Sequence, residues 1–264
     1  MDQNLLMTTE EYNKTRHKTP YVFSLSSGKR FLFYFGCEHT RNPQNEQFGR
    51  IESFWSDFLN KTNKQNCLVL IESVPLPKIT GEREEIIKEY GERGFMVWLA
   101  EKEKIPPHYP EMLIGEEAEM LAKSFPKELV VYFYFIRSVQ SWIRGNTPDD
   151  FEAILERAAN ACQQRISWQD VSYSVEDMKK IHEEIFGESL SLKNRKNIDR
   201  TPAPIYYDSI INEVARKSSR IRNIKILEEI ERFWGEGKNI FILYGASHAV
   251  MQEKVIRSIV GNPI

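Results

Sequence analysis

Residues 30–39 read RFLFYFGCEH, and residues 239–248 read NIFILYGASH. Each stretch contains a short apolar run, FLFYF or IFILY, that is followed by a glycine. Neither run alternates polar with apolar residues, as a strand with one exposed face would. Unbroken apolar runs of this length are typical of β-strands that are covered on both faces. The two stretches therefore predict buried strands of an α/β protein, in which helices pack on a sheet.

The residues around the first run extend this prediction. YVFSL at 21–25 is a second β-rich run, and Ser26 to Lys29 between the two have the composition of a hairpin turn. Apolar residues at helical spacing then predict a helix over about Pro43–Asn60, and CLVLI at 67–71 predicts another buried strand. Strand, helix and strand in this order indicate a crossover unit with a parallel pair. Together these elements predict a central mixed β-sheet flanked by helices.

The middle of the chain is predicted to be mostly helical. Proline and glycine separate the expected helices Glu82–Leu99, Glu116–Ser124, Leu129–Ile143, Asp149–Ile166 and Val175–Phe186. We interpret about residues 100–190 as a helical insertion in a single domain that spans 1–264. The polar stretch at 191–204, which carries two prolines, predicts a flexible loop. Three further helices are expected over Ile205–Arg216, Arg220–Trp234 and 248–260.

Composition excludes several classes of function. With 36 basic and 38 acidic residues the formal charge is -2, so no net field favours nucleic acid. No apolar run approaches the ~18 residues that a membrane span needs, and the first twenty residues do not resemble a secretion signal. The three cysteines do not form a C-x-x-C pair and are expected to be buried, reduced side chains. We therefore expect a cytoplasmic protein that binds neither membranes nor nucleic acid. Its oligomeric state is left open.

A repeated motif suggests where the chemistry lies. Both buried strands continue as Gly-x-x-His, at Gly36–His39 and Gly245–His248, and the strand at 67–71 is followed by Glu72. In open α/β sheets the ligand crevice lies beyond the carboxyl ends of the strands, so these three side chains are expected at one edge. Two imidazoles and a carboxylate there could hold a divalent metal, or could act as acid and base around a bound water.

These histidines and their neighbours also allow other interpretations. A single loop histidine usually caps a turn or a helix, and His17, His108 and His182 are expected at the surface. Gly245 to Ala249 also resembles the nucleophile elbow of α/β-hydrolases, with Ser247 as the nucleophile. That fold needs an acid and a histidine after the serine, whereas no Asp or His follows His248. Ser247 is therefore expected to be a helix N-cap first and a nucleophile second.

The two Gly-x-x-His motifs, the strand-end glutamate and the Arg-Asn pair at 222–223 resemble the TraB/TIKI family. This family belongs to a clan with the erythromycin esterases and the ChaN-like iron- and haem-binding proteins. The resemblance covers roughly residues 30–75 and 205–260. It implies an erythromycin esterase/ChaN-like fold with His39, His248, Glu72 and Arg222 facing one cleft, and it makes Glu38 and Asn223 further candidates.

From these observations we expect a hydrolase of a small-molecule or peptide substrate. Glu72 or Glu38 would deprotonate a water that the two histidines orient directly or through a divalent ion (Mn, Co or Zn), and Arg222 would stabilise the oxyanion. The alternative is a non-catalytic protein of the ChaN-like type that binds metal, haem or another small ligand. The second-tier candidates are Glu82, Glu111, Asn223 and Ser247. Glu82, like Glu116 and Glu117, is more simply explained by the preference of helix N-termini for acidic residues.

Overall fold

The structure is a computed structural model that describes residues 1–72, 74–144 and 150–261, with the backbone alone at residue 194. The chain forms two compact units. One consists of residues 1–111 and the chain from Asn223 onward, and the other is Met112–Arg222. The predicted helical insertion at about residues 100–190 overlaps the second unit. Whether the chain is one domain, as we expect, stays a prediction.

The first unit contains a five-stranded sheet. Its strands are β1 (Tyr21–Ser27), β2 (Arg30–Cys37), β3 (Cys67–Ile71), β4 (Pro107–His108) and β5 (Asn239–Gly245). Their order is β1-β2-β5-β3-β4, with β1 antiparallel to β2 and the other neighbours parallel. The prediction of an α/β protein with a mixed sheet is confirmed. The expected parallel relation of β2 and β3 also holds, although β5 lies between them.

Helices cover both faces of this sheet, which explains its unbroken apolar strands. The helices of the unit are α1 (Thr9–Lys14), α2 (Gln47–Thr62), α3 (Arg83–Lys102), α10 (Ala246–Val260) and the second half of α9 (Ile210–Gly235). Phe33 and Phe241 pack with α2 and α3 on one face. Leu32 and Ile240 pack with α9 and α10 on the other. Successive strand residues point to opposite faces, so the inner positions of β2, β3 and β5 are apolar on both faces.

The second unit is built from helices. These are α4 (Ile114–Ala122), α5 (Lys127–Arg144), α6 (Phe151–Ile166), α7 (Val175–Phe186), α8 (Arg195–Arg200) and the first half of α9. They share one apolar core in which the aromatic residues of α5 are prominent. The predicted start of a helix at Asp149 lies outside the described residues. The other predicted helices of the middle agree with α3 to α7 to within three residues at each end.

Three sequence predictions are wrong in this unit. The expected flexible loop at 191–204 contains a 3₁₀ turn and α8, because Ile198 is buried in the core. The two helices expected at 205–216 and 220–234 are one helix, α9, and Ser218 within it is buried and donates a hydrogen bond to Glu117. His182, expected at the surface, is fully buried with Nδ1 2.6 Å from the Tyr132 hydroxyl.

The start of α9 is also later than the sequence predicts. The Asn212 side chain donates to the carbonyl oxygens of residues 200, 201 and 203 and accepts from the backbone N–H groups of 208 and 209. These bonds fix residues 200–209 as a turn before the helix.

Among the described residues, no helix is long and apolar enough to cross a membrane.

Candidate active site

The carboxyl ends of β2, β5 and β3 bring the predicted site residues together. Cys37 is paired with Gly245, and Ile71 with Leu243, so the three strands end at nearly the same level. His39 follows β2, Glu72 follows β3, and His248 lies in the first turn of α10 directly after β5. The sheet therefore places these three side chains at one edge, as the repeated motif predicts.

Glu72 lies between the two histidines. Its Oε2 is 3.8 Å from His39 Nε2, and its Oε1 is 3.7 Å from His248 Nε2. These distances are too long for hydrogen bonds. The Gly245 N–H donates to Glu72 Oε2 at 2.6 Å. A Cβ on Gly245 would lie 3.0 Å from His39 Nε2 and 3.2 Å from Glu72 Oε2, so the absence of a side chain there lets the two groups approach.

His39 is oriented by a carboxylate that the sequence did not reveal. Its Nδ1 lies 2.6 Å from Oε1 of Glu92, and Oε2 of Glu92 accepts from the backbone N–H of Thr40 at 3.3 Å. Glu92 belongs to α3 and is only 3% exposed, whereas 59% of the His39 side chain is exposed. The hydrogen bond to Glu92 raises the pKa of His39, against burial, and Glu72 adds to the effect.

His248 is oriented by a different set of side chains. Its Nδ1 is 2.8 Å from Oδ1 of Asn223, which also accepts from Gln252 Nε2 at 2.7 Å. Oε1 of Gln252 in turn accepts from the Tyr34 hydroxyl at 3.0 Å. Tyr34, Asn223 and Gln252 are fully buried, and His248 is nearly so. Burial, together with Glu72, Cys37 and Glu111, raises the pKa of Tyr34 well above its usual range, so Tyr34 keeps its proton.

Cys37, His39 and Glu92 could hold a metal ion, since one ligand atom of each lies within 4.8 Å of the other two. Burial, with Glu92 and Glu72 nearby, raises the pKa of the Cys37 thiol, whereas a metal is bound by thiolate. His39 Nδ1 and Glu92 Oε1 are 2.6 Å apart, which is a hydrogen-bond distance. Two ligand atoms on one zinc ion, even at right angles to each other, would be farther apart, at about 3.0 Å. This group would have to separate His39 from Glu92 to bind a metal.

Glu38 is exposed, unlike the other acidic residues of the site. Its backbone is fixed by Gln47, which accepts from the Glu38 N–H at 3.0 Å and donates to the Glu38 carbonyl oxygen at 2.7 Å. Gln47 is itself buried and begins α2. The pair of bonds sets the path of the chain between β2 and His39. A catalytic role for the Glu38 carboxylate stays a prediction.

Two other candidates lie in different surroundings. Glu111, half-buried, is close enough to Tyr34 to contribute to its raised pKa. Arg222 belongs to the second unit, where it and Arg137 lie near the buried Tyr134. Burial and Glu117 raise the pKa of Tyr134, and the two arginines act against this rise. The expected role of Arg222 in stabilising an oxyanion stays a prediction.

Glu82 and Ser247 occupy helix N-termini. Glu82 is exposed and directly precedes α3, so the simpler explanation of this residue holds. Ser247 is exposed and is the second residue of α10, whose N-cap is Gly245. The expectation that Ser247 is the N-cap is therefore wrong by two positions. In the part of the chain that the structure describes, no hydrogen bond joins Ser247 to an imidazole, as activation of a serine nucleophile would require.

Sequence reasoning missed the residues that orient the two histidines. Asn223 was a second-tier candidate, but Glu92, Gln252 and Gln47 were not singled out. Glu92 follows Gly91, which has a φ of 66° and interrupts α3. A glycine inside a helical pattern is the one sequence signal that could have drawn attention to this segment.

Comparison of the chain with protein-family models, with curated proteins and with solved structures found no match.

Proposed function

We propose that this protein is a hydrolase in which His39 activates the attacking water and Glu92 orients the imidazole. One observation carries the proposal: Nδ1 of His39 lies 2.6 Å from a buried carboxylate, while Nε2 faces Glu72 at 3.8 Å and the side chain is largely open to solvent. A general base needs one nitrogen fixed by an acceptor and the other accessible to the reacting water.

The chemistry follows from the acceptors at the site. With Nδ1 donating to Glu92, the neutral ring of His39 has its lone pair on Nε2. A water that donates one proton to Nε2 and the other to Glu72 directs its oxygen lone pairs at a substrate. As this oxygen bonds to the electrophilic carbon, one proton passes to Nε2. The imidazolium, stabilised by Glu92, then returns the proton to the leaving group as the bond to that group breaks.

The TraB/TIKI-like motifs support the same class of reaction. We include in the proposal the erythromycin esterase/ChaN-like fold, the small-molecule or peptide substrate and the oxyanion role of Arg222 that this resemblance implies. Of the two candidates, Glu72 rather than Glu38 is the acidic group next to the water, because it lies beside both imidazoles. The three free, buried cysteines favour a reducing compartment, and we place the activity in the cytoplasm.

The test is turnover of a panel of nitrophenyl esters and fluorogenic peptide amides in water enriched in ¹⁸O. We expect one labelled oxygen in the acid product and a loss of about 10²–10⁴-fold in rate for His39→Ala. His108→Ala is the matched control, because His108 is likewise a histidine paired with a glutamate, Glu229, and has no role in the proposed reaction. An unchanged rate in His39→Ala would refute the role given to this residue.

A second candidate is a divalent metal centre (Mn, Co or Zn) on His39, His248 and Glu72. The observation that favours it is that both imidazoles have Nδ1 engaged with an acceptor, Glu92 or Asn223, and direct Nε2 toward Glu72. Histidine ligands of metals are commonly held in this way through the second nitrogen. The three groups fit a cation, because neutral imidazoles and a carboxylate are all acceptors. A bound ion would supply a water of lowered pKa.

Elemental analysis decides between the two candidates. One ion per chain, lost in the His39→Ala/His248→Ala double variant, would support the metal centre. No metal as purified, and none retained after soaking in manganese, cobalt or zinc salts, would exclude it. A bound ion in a protein that turns over no compound of the panel would favour the non-catalytic, ChaN-like alternative.

A further inference from the structure

A chain of buried polar side chains leads from the sheet to His248. It runs from the Tyr34 hydroxyl on β2 through Gln252 on α10 and Asn223 on α9 to His248 Nδ1, with donor–acceptor distances of 3.0, 2.7 and 2.8 Å. Tyr34, Gln252 and Asn223 are 0% exposed. Buried polar groups must be hydrogen-bonded to one another, so the direction of each bond constrains the next.

The direction of the chain is readable from the amide groups. Asn223 Oδ1 faces both Gln252 Nε2 and His248 Nδ1, and an oxygen there can only accept. His248 must therefore donate from Nδ1. The Gln252 N–H₂ group donates to Asn223, and Gln252 Oε1 accepts from the Tyr34 O–H group.

The opposite direction would change the character of His248. If both amides were turned over, Asn223 Nδ2 would face the imidazole, and Nδ1 would have to accept. The proton of a neutral ring would then lie on Nε2, which is directed at Glu72 3.7 Å away. His248 would then present an N–H group on the side of Glu72 instead of the lone pair that a base or a metal ligand needs. The tautomer of His248 thus depends on the orientation of the Asn223 and Gln252 amide groups.

We infer that Asn223 and Gln252 are positioning residues that hold His248 in its Nδ1–H tautomer. His248 then presents an Nε2 lone pair on the side of Glu72. The catalytic meaning of this arrangement rests on the proposed function, since the lone pair would serve there as a base or a metal ligand. The tautomer itself is a property of the protein without substrate.

The experiment is NMR of the full chain labelled with ¹⁵N-histidine at pH 8, with the His248 signals assigned by their loss in His248→Gln. The wild-type protein should show a protonated Nδ1 and an unprotonated Nε2. Asn223→Leu removes the acceptor at nearly constant volume, and we expect the ratio of the two tautomers to change at least about tenfold toward Nε2–H. Asn223→Asp keeps an acceptor at the same place and should retain Nδ1–H.

Two further variants guard against a purely structural effect. Gln252→Met leaves Asn223 in place but frees its amide to turn, so a population with Nε2–H should appear. Asn239→Leu is the matched control: Asn239 is also a buried asparagine of the first unit, bonded to Phe31 and Gln65, and its loss should not change the His248 signals. If Asn223→Leu does not fold, the result with Gln252→Met decides.

Wild-type His248 with Nε2 protonated, alone or together with Nδ1, would overturn the inference. So would an Nδ1–H tautomer that persists in both Asn223→Leu and Gln252→Met. These outcomes are separate from the fate of the proposed function. The expected tautomers in a protein that hydrolyses no compound would leave the inference standing and count against the hydrolase alone.

Discussion

Replacing Gly36 by alanine would place a methyl group where α10 crosses β2. The new Cβ would lie 2.7 Å from Ala249 Cβ, 2.7 Å from the Tyr21 carbonyl oxygen and 3.0 Å from Ala246 Cα. Carbon atoms in contact are normally about 3.5–4.0 Å apart, so the contacts with the Ala249 and Ala246 carbons are short by roughly 0.5–1.3 Å. Two of the three atoms belong to the backbone, and Tyr21 is held opposite Gly36 by the pairing of β1 with β2.

Such overpacking costs about 1–3 kcal/mol of unfolding free energy, and the rigidity of the neighbours places this substitution near the upper end. For a chain of this size, 3 kcal/mol corresponds to a fall of about 6–12 °C in Tm. Since α10 carries His248, we also expect the shift of the helix to lengthen the distance between His248 and Glu72.

Thermal and urea unfolding of Gly36→Ala measure this effect, with Gly49→Ala as the control. Gly49 lies in α2, and no atom stands within 4 Å of the position of its Cβ, so alanine there should stabilise the protein by about 0.5–1 kcal/mol. The two substitutions are chemically identical and should move Tm in opposite directions. A Gly36→Ala protein as stable as the wild type would refute the close contact of α10 with β2.

Three further predictions concern titration and the site. Glu92→Gln should lower the pKa of His39, because the hydrogen bond to Glu92 is the main cause of its rise. The rate of a reaction that needs the neutral ring should then reach its plateau at a lower pH. An NMR titration of His39 measures the same shift without substrate. Burial lowers the pKa of His182, so the folded protein resists the proton that the unfolded chain takes up near pH 6.5, and unfolding free energy should fall as the pH drops through that value. His182→Leu should remove this part of the pH dependence in urea unfolding, and an unchanged dependence would contradict its assignment. Gly245→Ala should change the unfolding free energy by no more than about 1 kcal/mol but reduce turnover or metal affinity by roughly 10–10²-fold. The reason is that the methyl group displaces His39 and Glu72 by a few tenths of an ångström. Equal activity would show that the spacing of His39 and Glu72 is not critical.

The sheet and the edge that carries His39, Glu72 and His248 were predictable because their signals are local. An apolar run buried on both faces has no polar positions, and a Gly-x-x-His motif after it places a histidine at the strand end; both features can be read within ten residues. The same holds for Glu72, which directly follows β3. What cannot be read in this way is which strands are neighbours, since β5 and β2 are about 200 residues apart in the chain.

The residues that orient the histidines were not predictable for the same reason. Glu92 is 53 residues from His39, and Gln252 and Asn223 are 29 residues apart. A glutamate or a glutamine in an amphipathic helix carries no mark that distinguishes a buried partner from a solvated side chain. His182 shows the converse failure: its charged neighbours in α7 suggest exposure, yet the packing of Tyr132 and Phe186 around the ring decides its burial.

The position of β5 in the sheet has a consequence for the order in which the protein can assemble. β5 is synthesised after the other four strands of this sheet, and it pairs with β2 on one side and β3 on the other. Until residue 245 has left the ribosome, the nascent chain holds only the two-stranded pieces β1–β2 and β3–β4, and two-stranded pieces are at best marginally stable in water. Their unpaired inner edges are exposed during that interval and are open to association with other chains. The edge that carries His39, Glu72 and His248 and a protected sheet thus arise in one late, non-local step, in which folding joins segments of high sequence separation.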